Sequence, residues 1–224
     1  MHRLRPGDRR GHRARLTDDP KQLVARGYDA MAERFATWRA GGTGSPELEW
    51  VEDLLSLLPA RPDILELGCG GAAEPTLRMA SRGRLTGVDI SEEQLRRARE
   101  RCPGATFVHA DMTTVQFDPA SFDAVVSLYA FNHIPRADLP KLIKCIVGWL
   151  RPDGYLLATF GMSGAEGIED NWLGVPMFFA SYSSAENTAF LAETGLGVAR
   201  DEVSVIVEPG TGEARFQWIL ARKP

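Results

Sequence analysis

Between residues 20 and 60 the apolar positions recur at helical spacing. Leu23, Tyr28, Met31 and Phe35 fall on one face of a helix over 20–39. The stretch "AGGTGSP" at 40–46 breaks it. Leu48, Val51, Leu54, Leu55 and Leu58 then mark a second helix over 47–59. From residue 64 the period changes. Short apolar runs at 64–67, 84–90, 105–111, 121–129 and 154–161 read as strands, and amphipathic stretches at 75–82, 91–102 and 139–150 read as helices between them. Pro75 stands at a first helical position, where a missing N–H costs nothing. Ser91 and Gln94 predict a capping box. Strands alternating with helices imply a parallel sheet covered on both faces. The alternation stops at 162–182, which is glycine-rich and then aromatic. A helix over 183–196 follows, then strands at 199–208 and 214–222 joined by "PGTGE", a connection that makes them antiparallel. The expected fold is α/β: a mostly parallel seven-stranded sheet, helices on both faces, and a C-terminal antiparallel hairpin.

Composition narrows the function classes. With 224 residues, 44% hydrophobic and 25% charged, the chain suits one soluble domain with a sizeable core. A net charge of −4 gives no global case for nucleic acid or an anionic membrane surface. No apolar run is long enough to span a bilayer. Cys69, Cys102 and Cys145 are scattered and odd in number, which reads as free thiols in a reducing cytoplasm. None has a CxxC partner, so a zinc site is not expected. Arg3, Arg5, Arg9, Arg10, Arg13 and Arg15 crowd residues 1–19, which read as a disordered basic arm. No apolar segment follows Arg9-Arg10, against an export signal.

The segment "PDILELGCGGAAEPT" carries the first chemistry. Side chains almost vanish over 68–73, directly after a strand. In an open α/β sheet, ligands lie outside the carboxyl ends of the strands. Gly68 and Gly70 let the chain turn sharply and remove the Cβ atoms that would hold a ligand off. The helix opening near Pro75 points free N–H groups at the same place. A dinucleotide and S-adenosylmethionine both use such a turn. Glu66 suits the ammonium of the latter and would repel a pyrophosphate. A turn with no ligand is the competing reading. Asp89, about twenty residues on, can accept both hydroxyls of a ribose, and Ile90 offers an apolar surface for a purine. The competing role for Asp89 is a helix cap, which Ser91 fills better. At the end of the third strand, Asp111 can accept from an adenine amine and Met112 can pack on the ring. Three successive strand ends carrying acids are hard to assign to chance.

The motifs "ILELGCGGAAEPTLRMA", "LTGVDIS", "HADM", "FDAVVSLYAFNHIP" and "LRPDGYLLATFG" resemble, in order, those of class I S-adenosylmethionine-dependent methyltransferases, closest to the small-molecule group typified by the ubiquinone and menaquinone enzymes. The resemblance is strong over 64–161, weaker over 172–196 and absent over 1–20. It implies a Rossmann-like sheet with S-adenosyl-L-methionine as cofactor. It places Gly68 and Gly70 against the methionine moiety with Glu66 orienting it. Asp89 holds the ribose, Ile90 and Met112 sandwich the adenine, and Asp111 meets its amine. The backbone near Leu128 approaches the methionine end, and Tyr28 resembles the aromatic that closes over the cofactor. Ala72 departs from the pattern, standing where many members have a third glycine. "SLYAFNHIP" replaces the Asn-Pro-Pro-Tyr type motif, against methylation of DNA bases. Residues 20–224 are then one methyltransferase domain, with 20–60 as a helical lid and 162–182 as an acceptor-pocket insertion.

Methyl transfer is an in-line displacement, so the protein must align the reactants and exclude water. A hydroxyl acceptor also benefits from a base. His133 follows the fourth strand at the carboxyl edge and is the candidate; a structural or capping histidine is the competing reading. His109 reads as structural. A catechol-type metal site needs clustered ligands after the fourth strand, and only Asn132 is there. Trp38, Trp172, Met177, Phe178, Phe179 and Tyr182 are candidates to wall an apolar or aromatic acceptor. Core or dimer packing competes for each, which leaves a homodimer open. With no basic groove, the expected partner is a small organic molecule, not nucleic acid or membrane, in a natural-product pathway. Three rivals stand beside methyl transfer: the same scaffold catalysing another reaction such as a cyclisation, a non-catalytic cofactor-binding regulator, and a dinucleotide oxidoreductase.

Overall fold

The computed structural model describes residues 19–210 and 212–224, so the expected basic arm lies outside them apart from Asp19. That residue belongs to the fold: its carboxylate accepts from the Lys21 N–H at 3.0 Å and caps the first helix.

Two helices open the chain, α1 (Pro20–Ala40) and α2 (Glu47–Leu57). The alternating unit follows: β1 (Asp63–Leu67), α3 (Glu74–Ala80), β2 (Arg84–Asp89), α4 (Glu92–Arg101), β3 (Thr106–His109), β4 (Phe122–Ser127), α5 (Leu139–Trp149) and β5 (Leu150–Phe160). Then come β6 (Glu166–Trp172), β7 (Val175–Ala180), α6 (Ser184–Glu193), β8 (Gly197–Glu208) and β9 (Gly212–Arg222). The seven-stranded sheet runs β3-β2-β1-β4-β5-β9-β8. Its first five strands pair in parallel, and β9 pairs antiparallel with both β5 and β8. The order reverses between β1 and β4, where the crossovers leave on opposite sides and their ends open a crevice.

Period-two alternation distributes the core. Leu65, Leu67, Val125, Leu156 and Ala158 turn to one face and pack with α5 and α6. Ile64, Ala124, Val126 and Leu157 turn to the other and meet α2 and α3 through Trp50, Leu54 and Met79. A third cluster joins α1 to β7 through Leu23, Val24, Met31, Met177 and Phe178.

Three local expectations need correction. The 162–182 stretch holds a hairpin, β6–β7, as a separate two-stranded sheet. Leu173 and Gly174 turn it, both at positive φ, as a two-residue primed turn requires. The polar run of β6 hid it, because neither face of that strand alternates. Second, β5 begins at Leu150, directly after α5, rather than at residue 154. Third, the Ser91 box is only half formed. Ser91 Oγ accepts from Gln94 N, but the Ser91 N–H goes to Asp89 Oδ1, so Gln94 turns under the glycine loop instead. A complete capping box occurs at Ser183 and Glu186 of α6.

Candidate active site

A cavity of about 450 Å³ opens at the carboxyl ends of β1, β2 and β4. Its floor is the β1–α3 turn. Gly68 and Gly70 adopt φ of 73° and 53°, the left-handed region that favours glycine. A Cβ on Gly68 would stand 2.2 Å from the Cβ of Ala130, so only a bare backbone fits. Ala72 is also left-handed at 54°, but its methyl is buried with Ala98 and Cys102, away from the cavity. The missing third glycine therefore leaves the cavity wall untouched.

Glu66 lies beneath this turn, 4% exposed. Its Oε1 accepts from Thr76 Oγ1 at 3.0 Å, and its Oε2 is buried with no partner among the described residues. Burial pushes its carboxyl up to about 8. Asp89, at the end of β2, accepts from Gly70 N at 2.8 Å and from Ser91 N at 2.9 Å. Burial raises its carboxyl too, against those two donors. Each oxygen keeps a second lone pair. Ile90, Met112 and Leu128 line the same cavity. Asp111 accepts from Thr113 N at 2.8 Å and pairs with Lys21 of α1 at 3.2 Å. Lys21 also pairs with Asp138 at 3.1 Å, tying the start of α1 to the sheet's carboxyl edge.

The roof is aromatic. Tyr28, Phe35 and Trp38 descend from α1, and Trp172 and Phe179 from the β6–β7 hairpin. His133 stands among them in a short 3-10 turn, Phe131–His133. Its ring lies 4.9 Å from Phe179 and 5.3 Å from Tyr28, centroid to centroid. Phe178 O is 2.8 Å from Nδ1, so that nitrogen carries the proton. Nε2 is left as the acceptor for the Tyr28 hydroxyl at 2.9 Å. Burial lowers the imidazole to about 4, so it is neutral near pH 7. Burial also raises the Tyr28 phenol.

Three candidates do not line this cavity. Met177 is fully buried where α1 comes closest: a Cβ on Gly27 would stand 2.6 Å from its Cε. Phe178 alternates to the opposite side of β7 from Phe179, and its carbonyl, not its ring, serves the site. The Tyr182 hydroxyl donates to Arg136 O at 2.6 Å and its ring packs on Phe190, beyond the end of β7. His109 is half exposed, with Nε2 at 3.0 Å from Ile90 O, outside the cavity.

Other wall residues had escaped the sequence reading. Tyr129, left-handed at φ 59°, bonds Ser45 at 2.9 Å and meets Phe216 edge-on at 4.7 Å. The β8–β9 hairpin reaches over the cavity with Ile206, Val207 and Phe216. It is held there by a bridge between Val207 and Thr43 and by Trp38 Nε1 donating to Pro209 O at 2.9 Å. A signal existed in the lengths: β8 and β9 have 12 and 11 residues against 5 in β1, more than edge pairing requires. Among the described residues no cluster of three or more His, Cys, Asp or Glu side chains could hold a metal ion. No helix among them is long and apolar enough to cross a membrane.

The donor set fits S-adenosylmethionine. A buried carboxylate oxygen lacking a donor suits an ammonium, the turn admits a ligand against bare backbone, and Asp89 keeps acceptor capacity for hydroxyls. Residues 64–154 match the methyltransferase-domain family. The chain is 30% identical to 27-O-demethylrifamycin SV methyltransferase of Amycolatopsis mediterranei, across 91% of this chain and 85% of that protein. It is 29% identical to a demethylmenaquinone methyltransferase of Clavibacter sepedonicus, but spans only 60% of it. In fold it is similar to magnesium protoporphyrin IX methyltransferase of Synechocystis PCC 6803, solved with S-adenosylmethionine bound: TM-score 0.68, 17% identity, 94% of this chain and 100% of that one. With the sheet order, the turn and the shared sequence in agreement, the chain belongs to the class I S-adenosylmethionine-dependent methyltransferases, and S-adenosylmethionine is its cofactor.

Proposed function

We propose that the chain methylates a hydroxyl group of a small organic acceptor, as a tailoring step in a natural-product pathway. The observation that carries this reading is His133 Nε2: unprotonated, inside the aromatic roof, and already accepting from a hydroxyl. When bound, S-adenosylmethionine supplies a methyl group on a positively charged sulfur. Glu66 faces its ammonium, and Gly68 and Gly70 let the methionine end approach. Asp89 accepts from the ribose hydroxyls, Ile90 and Met112 enclose the adenine, and Asp111 accepts from its amine. Tyr28 and Trp38 close from α1, and the backbone at Leu128 borders the reacting end.

An acceptor hydroxyl arriving at His133 takes the place of the Tyr28 hydroxyl at Nε2. The histidine would take up the acceptor's proton, while Nδ1–H stays on Phe178 O and keeps the ring oriented. Trp172 and Phe179 exclude water and hold an apolar or aromatic acceptor. An oxygen acceptor accords with the name of the Amycolatopsis relative, a 27-O-demethylrifamycin SV methyltransferase.

The test is release of S-adenosylhomocysteine in the presence of hydroxyl-bearing acceptors. His133→Ala lowers turnover about 100-fold or more, with calorimetric affinity for S-adenosylhomocysteine nearly unchanged. Full activity of that variant would leave His133 as no more than the anchor of Tyr28.

A further inference from the structure

A second cavity, of about 620 Å³, opens against the first. Its walls are Gly161, Met162, Ser163 and Ala165, the β6–β7 hairpin and the start of β9. Asn132, Glu169, Phe179 and Phe216 line both cavities, so the two meet along one partition. The first cavity, at about 450 Å³, must take both a cofactor and the reacting end of an acceptor. A larger acceptor can continue into the second cavity past Phe179 and Phe216, which line both.

The partition carries an unmet hydrogen-bonding demand. Asn132 Oδ1 is buried with no partner among the described residues, one residue before His133. Leaving such an acceptor unpaired costs about 1–3 kcal/mol, and a donor crossing the partition would satisfy it. Beyond it the lining turns polar. The hydroxyls of Ser163 and Ser181 lie 2.6 Å apart, and the exposed residues Arg215, Glu166 and Glu169 line the same space. Two carboxylates stand against one guanidinium, so an anionic ligand is not favoured there.

We infer that the second cavity holds the distal part of the acceptor. That acceptor is an elongated molecule without an anionic tail. Its apolar, hydroxyl-bearing end lies at His133, and an amide- or hydroxyl-bearing tail donates to Asn132 and ends among Ser163, Ser181 and Arg215. The inference rests on the methyl-transfer reading above.

Gly167 supplies the test. It lines the second cavity and not the first, it has ordinary backbone dihedrals, and nothing lies within 4 Å of where its Cβ would be. Gly167→Trp therefore fills the space without strain. The probes are N-(ω-hydroxyalkyl)-4-hydroxybenzamides of increasing tail length, titrated calorimetrically into protein saturated with S-adenosylhomocysteine. In the natural chain, affinity rises with tail length by about tenfold or more; in Gly167→Trp that gain disappears while the shortest probe binds as before. A flat dependence on tail length in the natural chain, absent binding included, or a gain that survives in the variant, overturns the inference. Affinity for S-adenosylhomocysteine, measured on both proteins beforehand, reports separately on the methyltransferase reading, since Gly167 lies outside the first cavity.

Discussion

Glu66 concentrates the chemistry of the site in one side chain. Sequence position alone marked it as an acid before a glycine turn, and the structure adds that one of its oxygens is buried without a donor. Its folded-state value of about 8 lies well above that of an ordinary glutamate, because burial disfavours the charged form. The sign for stability follows. The raised carboxyl favours folding below the ordinary glutamate range, and this contribution is lost as pH rises towards and through about 8. Glu66→Gln keeps an oxygen for Thr76 and never ionises, so its melting temperature exceeds that of the natural chain at pH 8–9 and converges with it in acid. Binding has the opposite sign. An ammonium favours the carboxylate, so affinity for S-adenosylhomocysteine rises with pH through about 8 in the natural chain and loses that slope in the glutamine variant. Parallel slopes in calorimetry would remove Glu66 from the ammonium site. Asp89 was legible for the same reason as Glu66: a strand end and a turn are local, and the residue types there are constrained by backbone geometry.

Among the elements, α1 and the two hairpins build the roof; α1 and the C-terminal hairpin were legible as elements, but what they cover was not. The periodicity of α1 marks a helix with one apolar face but not what that face covers. In the structure it covers β7 and the cavity, and the Tyr28–His133 hydrogen bond joins it to the turn after β4. Tyr28→Phe keeps the ring in the roof but leaves Nε2 of a buried imidazole without a donor. Unfolding free energy then falls by about 1–2 kcal/mol, and amide exchange in α1 speeds up. Exchange that does not change would mean that packing alone seats the helix. The β6–β7 hairpin shows the limit of pattern reading. Its strand "EGIEDNW" is mostly exposed and has no face to mark, so only the turn at Leu173–Gly174 betrays it. That Met177, Phe178 and Tyr182 lie off the cavity wall has the same cause. Composition identified an aromatic segment, but the pleat and the approach of α1 at Gly27 determine which rings reach the cavity.

Taken together, the cavity is assembled from segments far apart in the chain: α1 and the linker after it, the ends of β1, β2 and β4, the β6–β7 hairpin, and the end of β8. A ligand that bridges them should stabilise them as a unit. S-adenosylhomocysteine at a hundredfold excess over its Kd adds about 2.7 kcal/mol to unfolding. Amide protection should increase together in α1, in the β1–α3 turn and around Ile206–Phe216; protection confined to the turn would show that the roof does not take part. The alternation of strands and helices, the bare turn and the acids at successive strand ends were all encoded in residues close in sequence, where period and turn chemistry act directly. They sufficed for the sheet, the family resemblance and the cofactor. The roof, the protonation of His133 and the partition between the two cavities depend on contacts between residues far apart in the chain, such as Tyr28 with His133, Trp38 with Pro209 and His133 with Phe178. Such contacts follow from the order in which strands are stacked and from which faces are left to be covered, and no local pattern in the chain specifies either.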